Sequence, residues 1–456
     1  MQSLTIDFSN LLKNFENTLL KSQDTLFSLL LEGDLHSFEE LVYRLFLEMY
    51  DNFCEHFLSL FAQSKVFKNC LQHYGASLGL GAFKLRSTKL QLRTGTYIEF
   101  RSYDATKAPK SYQKTRHLCH RYWSCFVKAS PCYASQMSML SVICPSYELA
   151  SQVAESQGIK ANYNRVLKVS KAFAKSCFDK RVGISLEASE SLASKRVIIA
   201  MDGGRSRCRE NTNQYKEGSQ YSKYETPWRE PKLFVIQVIG EDGEILRKEL
   251  PIYDCTLQDC EASFDLLKDY LKHLQIQEAK EIQFIADGAP WLWNRCKDAL
   301  LSVGVQAEKM TETLDYYHAV EHLSELIKQI PKKKKKQKKD LFKKLKETLW
   351  QGNIGDMIAQ IRKCGKKMSK KMKTELTYFI KHRHRMKYAQ FRSKKLLCGS
   401  GIVESAIRRI INLRFKSPST FWKEDNLEKM IFLRANLLAK RWNIIIKNLT
   451  RKMGTI

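Results

Sequence analysis

Hydrophobic residues recur at different spacings along the 456-residue chain, and the changes in spacing divide it into regions. In residues 1–80, Phe, Leu and Tyr recur every three or four positions, as in SFEELVYRLFLEMYDNFCEHFLSLF, which predicts amphipathic helices. Residues 88–103, TKLQLRTGTYIEFRSY, alternate between apolar and polar side chains, which predicts a small β-hairpin. We therefore expect a helical region over residues 1–85 and a small β and basic aromatic segment over 86–135.

Residues 136–190 contain the pattern of two helices joined by a short turn that contains glycine. The three parts are SYELASQVAESQ, GIKA and NYNRVLKVSKAF. These proportions are typical of a helix-turn-helix that contacts DNA, and equally of two helices that only pack together. The pattern leaves both interpretations open.

Two short apolar runs in the second half of the chain each end in aspartate followed by glycine. KRVIIAMDGG ends its run at Asp202, and EIQFIADGAP ends its run at Asp287. Between them, KLFVIQVIGEDGEILRKELPIYD predicts two strands joined at Asp242-Gly243, and CEASFDLLKDYLKHLQI predicts an amphipathic helix. This order of elements predicts an α/β core with a mixed sheet.

Asp202 and Asp287 are candidate metal ligands. If their strands are neighbours and end at one edge of the sheet, the two carboxylates lie within a few ångströms of each other. Such a pair repels unless it is protonated or holds a cation, and carboxylates without imidazole or thiolate suit Mg²⁺ or Mn²⁺. The alternative for each aspartate is a turn-capping role.

Glu404 is a candidate third carboxylate, in the first turns of the helix predicted for CGSGIVESAIRRIINLRF. It lies beside the apolar face of that helix, where a carboxylate is costly without a partner, although a favourable interaction with the helix dipole is the alternative. The positions expected to face inward are Ile402, Val403, Ala406, Ile410 and Leu413. The side chains expected to reach solvent or phosphate are Arg408, Arg409 and Arg414.

The composition favours a polyanionic partner. The formal net charge is +29 and the pI is about 9.5, which in an enzyme most often indicates nucleic acid, the alternative being a generally basic, lysine-rich proteome. The start, MQSLTIDFSN, lacks a secretion pattern, and no apolar run approaches the roughly 20 residues of a membrane span. We therefore expect a cytoplasmic protein with no membrane partner.

The cysteine pattern disfavours zinc. Thirteen cysteines are scattered along the chain, as expected of reduced thiols in a cytosol. Cys119, Cys125 and Cys132 come close to His117 and His120, but their spacings form no CxxC pair, so buried core cysteines are the better interpretation.

A run of lysines, PKKKKKQKKDLFKKLK, occupies residues 331–346. As a flexible loop it could bind phosphates without regard to base sequence, and we expect DNA contacts from this run. The alternative is a solvated connector between helices. The lysines concerned are Lys332, Lys333, Lys334, Lys335 and Lys336.

Four blocks of sequence together resemble a known enzyme family. They are MDGG, ADGAPWLW, LDYYHAVEHL and GSGIVESAIRRIINLRFKSPSTFW, and they lie in order within residues 197–440. The chain resembles bacterial insertion-sequence transposases of the ISKra and ISLre kind. Those are DDE enzymes with a ribonuclease-H-like catalytic core, related to Mutator-like transposases.

The resemblance implies a role for each matched residue. Asp202, Asp287 and Glu404 become the catalytic carboxylates, holding two Mg²⁺ or Mn²⁺ ions about 3.5–4 Å apart. Asp315 and His318 in LDYYHAVEHL become an auxiliary active-site pair, the alternative being a helix-start aspartate and a satisfied histidine. Further DNA contacts are expected from Arg408, Arg409, Arg414 and Lys416.

The resemblance also implies a division of the second half of the chain. The 117 residues from Asp287 to Glu404 are more than a bare core of this type needs. A helical insertion, rich in lysine and arginine, is therefore expected after the fifth strand of the core. The expected parts are a first part of the ribonuclease-H-like core (195–317), the insertion (318–395), and the last part of the core with the glutamate helix and the C-terminal helices (396–456).

The implied activity is metal-dependent cleavage of DNA strands at transposon ends, followed by transfer of those ends into target DNA. The expected partner is double-stranded DNA, bound by a homodimer that associates with the bacterial nucleoid. Two alternatives remain open. One is a catalytically silent DNA-binding protein derived from a transposase, and the other is a structure-selective nuclease on the same fold.

Overall fold

The structure is a computed structural model that describes residues 9–108, 117–215, 222–331, 334–364, 368–417 and 420–450. The chain forms two compact units. The first comprises the residues up to Asp179 together with those from Ile446 onward, and the second comprises Lys180–Ile445. Within the described residues, no helix is both long enough and apolar enough to cross a membrane.

The first unit combines helices with one antiparallel hairpin. Its elements in chain order are α1 (Ser9–Leu31), α2 (Leu35–Gln63), α3 (Lys65–Ala76), β1 (Gly81–Gln91), β2 (Tyr97–Lys107), α4 (Leu118–Tyr122), α5 (Pro131–Ile143), α6 (Tyr147–Ser156) and α7 (Tyr163–Phe178). Phe67, Leu71, Ile98 and Phe100 belong to the core between α3 and the hairpin. The mainly helical N-terminal region and its small β element, both predicted from hydrophobic spacing, are confirmed.

Helices α6 and α7 are the two helices predicted around the GIKA turn. The connection begins at Gln157 and contains Gly158. Gly158 has a φ of +73°, a left-handed backbone conformation that favours glycine. A Cβ at Gly158 would also lie 2.8 Å from Leu47 Cδ1, so a larger residue would require the Leu47 side chain on α2 to move. The two helices exist as predicted, and their contact with DNA stays a prediction.

The second unit is built around a five-stranded mixed sheet. Its elements up to the last strand of that sheet are α8 (Arg181–Ser185), β3 (Arg196–Gly203), β4 (Ser206–Arg207), β5 (Glu210–Tyr215), β6 (Ser222–Glu225), β7 (Trp228–Arg229), β8 (Lys232–Ile239), β9 (Ile252–Thr256), α9 (Cys260–His273), β10 (Glu281–Ala286), α10 (Pro290–Trp293), α11 (Cys296–Ser302) and β11 (Met310–Leu314). The strand order is β11-β10-β3-β8-β9, and β8 runs antiparallel to both of its neighbours. The predicted α/β core with a mixed sheet is confirmed.

Helices follow the last strand of the sheet. They are α12 (Tyr316–Lys328), α13 (Lys335–Trp350), α14 (Ile354–Cys364), α15 (Lys370–His382), α16 (Tyr388–Ser393), α17 (Gly401–Ile407), α18 (Leu413–Phe415), α19 (Glu424–Leu438) and α20 (Trp442–Thr450). A π-helical turn, Arg408–Asn412, joins α17 to α18. The described residues from α12 to α16 contain no strand, which is the helical composition expected between Asp315 and Glu404.

Burial explains why the central strands are continuous apolar runs. Every residue of β8, and the first six of β3, are buried. Alternation between apolar and polar side chains would place polar groups in the core of a sheet covered on both faces. The helices α9 and α17 pack on the sheet and must present apolar residues to it. Their residues Phe264, Leu267 and Val403 are buried accordingly.

Two local expectations need correction. A turn exists at Asp242-Gly243, where Gly243 has a φ of +87°. This turn does not join β8 directly to β9, because residues 244–251 lie between it and Ile252, the first residue of β9, which pairs with Ile236. Leu413 was expected to face inward, yet it is 61% exposed while Ile411 is fully buried. A π-helical turn contains more residues per turn than an α-helix, because its hydrogen bonds span five residues, so it rotates the following side chains around the helix axis.

A buried ion network lies at the edge strand β9. Asp254 on β9 is fully buried, and its Oδ2 lies 3.0 Å from Arg181 Nε and accepts a 3.0 Å hydrogen bond from the Tyr270 hydroxyl. Arg181 also pairs with Glu428 at 2.9 Å. Burial raises the pKa of Asp254, and the charge of Arg181 opposes this effect. The network therefore depends on Arg181, because a carboxylate buried alone would be strongly destabilising.

Candidate active site

Asp202 and Asp287 lie level with each other at the ends of neighbouring parallel strands. β3 and β10 pair in parallel with Ala200 opposite Ile285. Each aspartate comes two residues after its member of that pair. Parallel strands in register place equivalent residues side by side, so the two carboxylates occupy one edge of the sheet, as the sequence pattern predicted.

Asp315 extends this row of aspartates to a third strand. β11 pairs in parallel with β10, with Leu314 opposite Ala286. The backbone N–H of Asp315 donates to Ala286 O at 2.8 Å, which continues the ladder one step further. Asp315 is therefore level with Asp287. Asp202 lies near the carboxyl end of β3, and Asp287 and Asp315 directly follow the neighbouring strands β10 and β11. We call these three residues the aspartate row.

The electrostatics of Asp202 show that other carboxylates face it. Burial and the negative charge of Asp287 raise its pKa to about 6, and Glu404 adds to the rise. A 2.6 Å hydrogen bond from the Gly203 N–H and the charge of His318 act in the opposite direction. Asp202 thus shares its surroundings with Asp287, Glu404 and His318, although these residues are far apart in the sequence.

Asp315 is the group that holds His318 in place. Its side chain is fully buried, and Oδ1 accepts hydrogen bonds from the His318 backbone N–H at 2.7 Å and from Nδ1 at 3.1 Å. Oδ2 accepts a hydrogen bond from the Ser400 backbone N–H. Burial alone would raise the pKa of Asp315, but these hydrogen bonds outweigh it and lower the pKa. Asp315 therefore stays ionised and fixes both α12 and the start of α17.

The hydrogen bond and charge of Asp315 raise the pKa of His318 to about 9, against the effect of burial. Asp287 and Glu321 add to the rise. His318 is therefore an imidazolium at neutral pH in the absence of a cation. A positive charge beside the aspartate row partly neutralises it.

Glu404 reaches the same region from α17. The Gln283 side chain on β10 bonds the backbone of Leu397 through both its Oε1 (3.0 Å) and its Nε2 (2.6 Å), which ties the segment before the helix to the sheet. The Ser400 hydroxyl then donates to Glu404 Oε1 at 3.3 Å. Glu404 is exposed, so its carboxylate remains open to a ligand.

Among the described residues, one group of side chains in this region could hold a metal ion. One ligand atom from each of Asp315, His318 and Glu404 lies within 4.8 Å of the others. The oxygens of Asp315 are already engaged by His318 and Ser400, so Asp315 is better placed to orient ligands than to act as one. Asp202 and Asp287 use their Oδ1 atoms for backbone N–H groups of Gly203 and Ala289. Asp202 and Asp287 do not belong to this group, so the structure does not bring the ligand atoms of the three predicted metal ligands, Asp202, Asp287 and Glu404, within that distance of one another.

Three side chains near this site were not predicted from the sequence. Tyr378 on α15 packs so closely on Gly288 that a side chain at that glycine would collide with its ring. His322 stacks on the Tyr378 ring at 3.8 Å and bonds Glu375 Oε2 at 2.7 Å. His322 follows His318 by one helical turn, a spacing that could have identified it, whereas nothing in the sequence singles out Tyr378.

The Tyr378 hydroxyl is buried and has no hydrogen-bond partner among the described residues. Burial and the charges of Asp287 and Asp315 raise its pKa, so the hydroxyl stays protonated. A buried donor without a partner is rare in native proteins because its desolvation is not compensated. Its position beside the aspartate row makes it a candidate donor to a bound substrate.

The predicted DNA contacts differ in their exposure. Arg408, Arg409 and Lys416 are exposed, as expected. Arg414 is only 2% exposed, and its guanidinium lies 4.8 Å from the Trp422 ring, so the expectation that it reaches solvent is wrong. The shift introduced by the π-helical turn accounts for this, because the turn directs Arg414 inward and Leu413 outward.

The lysine run is partly described. Lys332 and Lys333 lie outside the described residues. Lys334 precedes α13, and Lys335 and Lys336 form its first turn, all three exposed. The expectation of a loop is therefore wrong from Lys335 onward, and the exposed positive charge is as predicted.

The site offers carboxylates at the ends of three neighbouring strands and, among the described residues, one possible cation-binding group, Asp315, His318 and Glu404. Comparison with protein-family models gave no match, and comparison with curated proteins gave none either. The function is therefore argued from the position, burial and charge of these residues.

Proposed function

We propose that the protein is a DDE transposase that cleaves DNA strands at transposon ends and joins those ends to target DNA. The observation that carries the proposal is the aspartate row with Glu404 beside it, in a chain with a net charge of +29. A five-stranded sheet with β3 at its centre and β8 reversed is the architecture that a ribonuclease-H-like core requires. The helices α12–α16 would then be the insertion between the second and third carboxylates.

In this proposal, Asp202, Asp287 and Glu404 would hold the divalent cations. When bound, such ions generate a nucleophile from water or from a DNA 3′-hydroxyl and stabilise the leaving oxygen. The acidic surroundings support this role, because Asp202 is forced toward protonation by Asp287 and Glu404 unless positive charge is supplied.

The protein's own residues supply position and charge. Asp315 holds the His318 ring beside the row, and Ser400 links Asp315 to Glu404, so the second half of the site is built as one hydrogen-bonded unit. The positive charges of Arg408, Arg409, Lys416 and the lysine run would bind DNA phosphates. Binding and chemistry would thus use different residues.

The decisive experiment is strand transfer with purified protein. Labelled DNA carrying the repeats that flank the coding sequence is incubated with Mg²⁺ or with EDTA, and cleaved and joined products are separated on a denaturing gel. Cleavage and joining that both require Mg²⁺ would support the proposal. Cleavage without joining would instead indicate a structure-selective nuclease, and DNA binding without either would indicate a silent DNA-binding protein.

A further inference from the structure

A small β layer follows Asp202 directly along the chain. After β3 the chain passes through Gly204 and forms β4, which pairs with β7 so that Arg207 lies opposite Trp228. Arg207 comes five positions after Asp202, so the layer lies within about 18 Å of the first carboxylate by chain length alone. The hairpin of β5 and β6 leads from one of these strands to the other.

The same layer is joined to the chain that follows the Glu404 helix. The Ser206 hydroxyl donates to Phe415 O at 2.7 Å, and the Arg209 N–H donates to Trp422 O at 2.7 Å. The Trp422 N–H donates to Arg207 O at 3.2 Å. The layer is therefore held between the segments that carry two of the three catalytic carboxylates.

Exposed aromatic rings and cations alternate on this layer. Trp228 is 49% exposed, and the Arg207 guanidinium lies 4.8 Å and the Lys416 ammonium 6.0 Å from its ring centroid. Tyr224 is 40% exposed, with the Arg209 guanidinium 4.1 Å from its ring. Exposed aromatic rings grouped on one surface can mark a binding site, and the cations beside them attract a polyanion.

The acidic side chains near the layer leave its positive charge largely uncompensated. Glu210 and Glu424 are both paired with Arg229, Glu424 at 2.8 Å. Glu225 and Glu230 are exposed, and Glu230 lies 3.8 Å from Lys232. Arg207, Arg209 and Lys416 therefore retain the charge needed to bind phosphates.

We propose that Trp228 and Tyr224 stack on unpaired bases of the DNA strand that enters the active site, while Arg207, Arg209 and Lys416 bind its phosphates. This assignment rests on the proposed function for the identity of the strand. Single-stranded DNA is the occupant that matches both features, because a base in a duplex has no free face for an aromatic ring. The layer would hold the end of the strand open beside the carboxylates.

The test is the affinity for labelled oligothymidylate and for a blunt duplex of equal length, measured by fluorescence anisotropy in EDTA. Trp228→Leu removes the ring and keeps apolar bulk, whereas Trp228→Phe keeps an aromatic face. We expect Trp228→Leu to weaken oligothymidylate binding about tenfold, and Trp228→Phe to recover most of that loss, with little change for the duplex in either variant. Tyr224→Leu is the independent second variant if Trp228→Leu does not fold.

The proposal is overturned if the leucine variant binds oligothymidylate as the wild type does, or loses affinity equally for the duplex. It is also overturned if poly-glutamate displaces oligothymidylate as effectively as unlabelled oligothymidylate, since the layer would then recognise negative charge alone. Because EDTA prevents cleavage, binding is scored separately from chemistry. If binding depends on the ring but the protein never cleaves DNA, the layer still binds single-stranded DNA as proposed. That result would refute only the transposase proposal.

Discussion

Nδ1 of His318 lies 3.1 Å from Oδ1 of Asp315, and the same oxygen accepts the backbone N–H of His318 at 2.7 Å. One carboxylate oxygen therefore caps α12 and sets the ring orientation of its third residue. With Nδ1 turned to Asp315, Nε2 is the ring nitrogen that can meet a phosphate or a water in the site. The pair consequently acts as a fixed positive group beside the aspartate row.

Loss of this pair should change stability with pH in a defined direction. The pKa of His318 is about 9, above its ordinary value of 6.5, so its contribution is complete below about pH 6.5 and is lost as the pH rises through about 9. In EDTA, His318→Gln should lower the free energy of unfolding by about 0.5–1 kcal/mol at pH 6, a figure reduced for the 35% exposure of the side chain, and by almost nothing near pH 10. A pH-independent difference in chemical denaturation would contradict the role of the charge.

Asp202→Asn should stabilise the protein in the absence of divalent ions. The raised pKa of Asp202, about 6, means that its favourable contribution is complete below about pH 3.8 and is lost as the pH rises through about 6. At pH 7 the asparagine variant should therefore have the higher melting temperature in EDTA. Mg²⁺ should raise the melting temperature of the wild type more than that of the variant, whereas the exposed control Asp269→Asn should respond as the wild type does.

The three carboxylates should separate catalysis from binding. Asp202→Asn, Asp287→Asn and Glu404→Gln should each reduce cleavage and joining at least about a hundredfold, because the cations lose a ligand. DNA affinity in a gel shift should remain the same or increase slightly, since a negative charge near phosphate is removed. Full cleavage by any of these variants, measured on the same preparation as the affinity, would refute this assignment of the active site.

Tyr378→Phe tests the unpartnered hydroxyl beside Gly288. If the hydroxyl donates to the bound substrate, its removal should lower the rate of strand cleavage about tenfold, within the range of one lost hydrogen bond to a charged group. Stability should stay equal or rise, because a buried donor without a partner is removed. An unchanged cleavage rate in a more stable variant would mean that Tyr378 only packs on Gly288.

The lysine run should supply affinity that depends on salt. Replacing Lys332, Lys333, Lys334, Lys335 and Lys336 with glutamine should weaken DNA binding and make the plot of log affinity against log salt less steep, because fewer counterions are released. Cleavage should persist at high DNA concentration. An unaltered slope would show that the exposed lysines of α13 lie away from the DNA.

Asp254→Ala should destabilise the fold severely, by about 3–5 kcal/mol, because Arg181 loses a buried partner. The matched control is Asp265→Ala. Asp265 is 60% exposed and its pair with Lys268 should contribute less than about 1 kcal/mol. Urea denaturation of both variants measures the difference, and similar values for the two would contradict the structural role of the network.

The central strands could be predicted from the sequence because they are buried on both faces. β3, β8 and β10 are largely apolar, with the buried Gln237 and Gln283 as interruptions, and burial on both faces of the sheet produces that pattern. β11 could not be predicted in the same way. It lies at the edge of the sheet, and two of the polar residues in its sequence, MTETL, are only partly buried, Thr311 and Glu312. Asp315 was therefore predicted only through the resemblance, as half of an auxiliary active-site pair with His318, and not as the third member of a row.

The site was predicted in part for a similar reason. Aspartates at strand ends can be recognised from local sequence, and Glu404 could be added through the resemblance to transposases. Tyr378 could not be predicted, because its position depends on how α15 packs on Gly288, and no local sequence pattern indicates that packing. The direction of the Arg414 side chain could not be predicted either, because it depends on a π-helical turn. The apolar residues of that segment have ordinary α-helical spacing.

The register of the aspartate row limits which length changes these strands can accept. Asp202 and Asp287 are level only because Arg196 and Glu281 pair with each other and each aspartate follows its member of that pair by the same number of residues. Deleting one residue from β10 would keep its apolar composition but turn Asp287 to the opposite face of the sheet. Apolar substitutions in these strands should therefore be tolerated far better than single-residue insertions or deletions, which would remove a carboxylate from the site without mutating it.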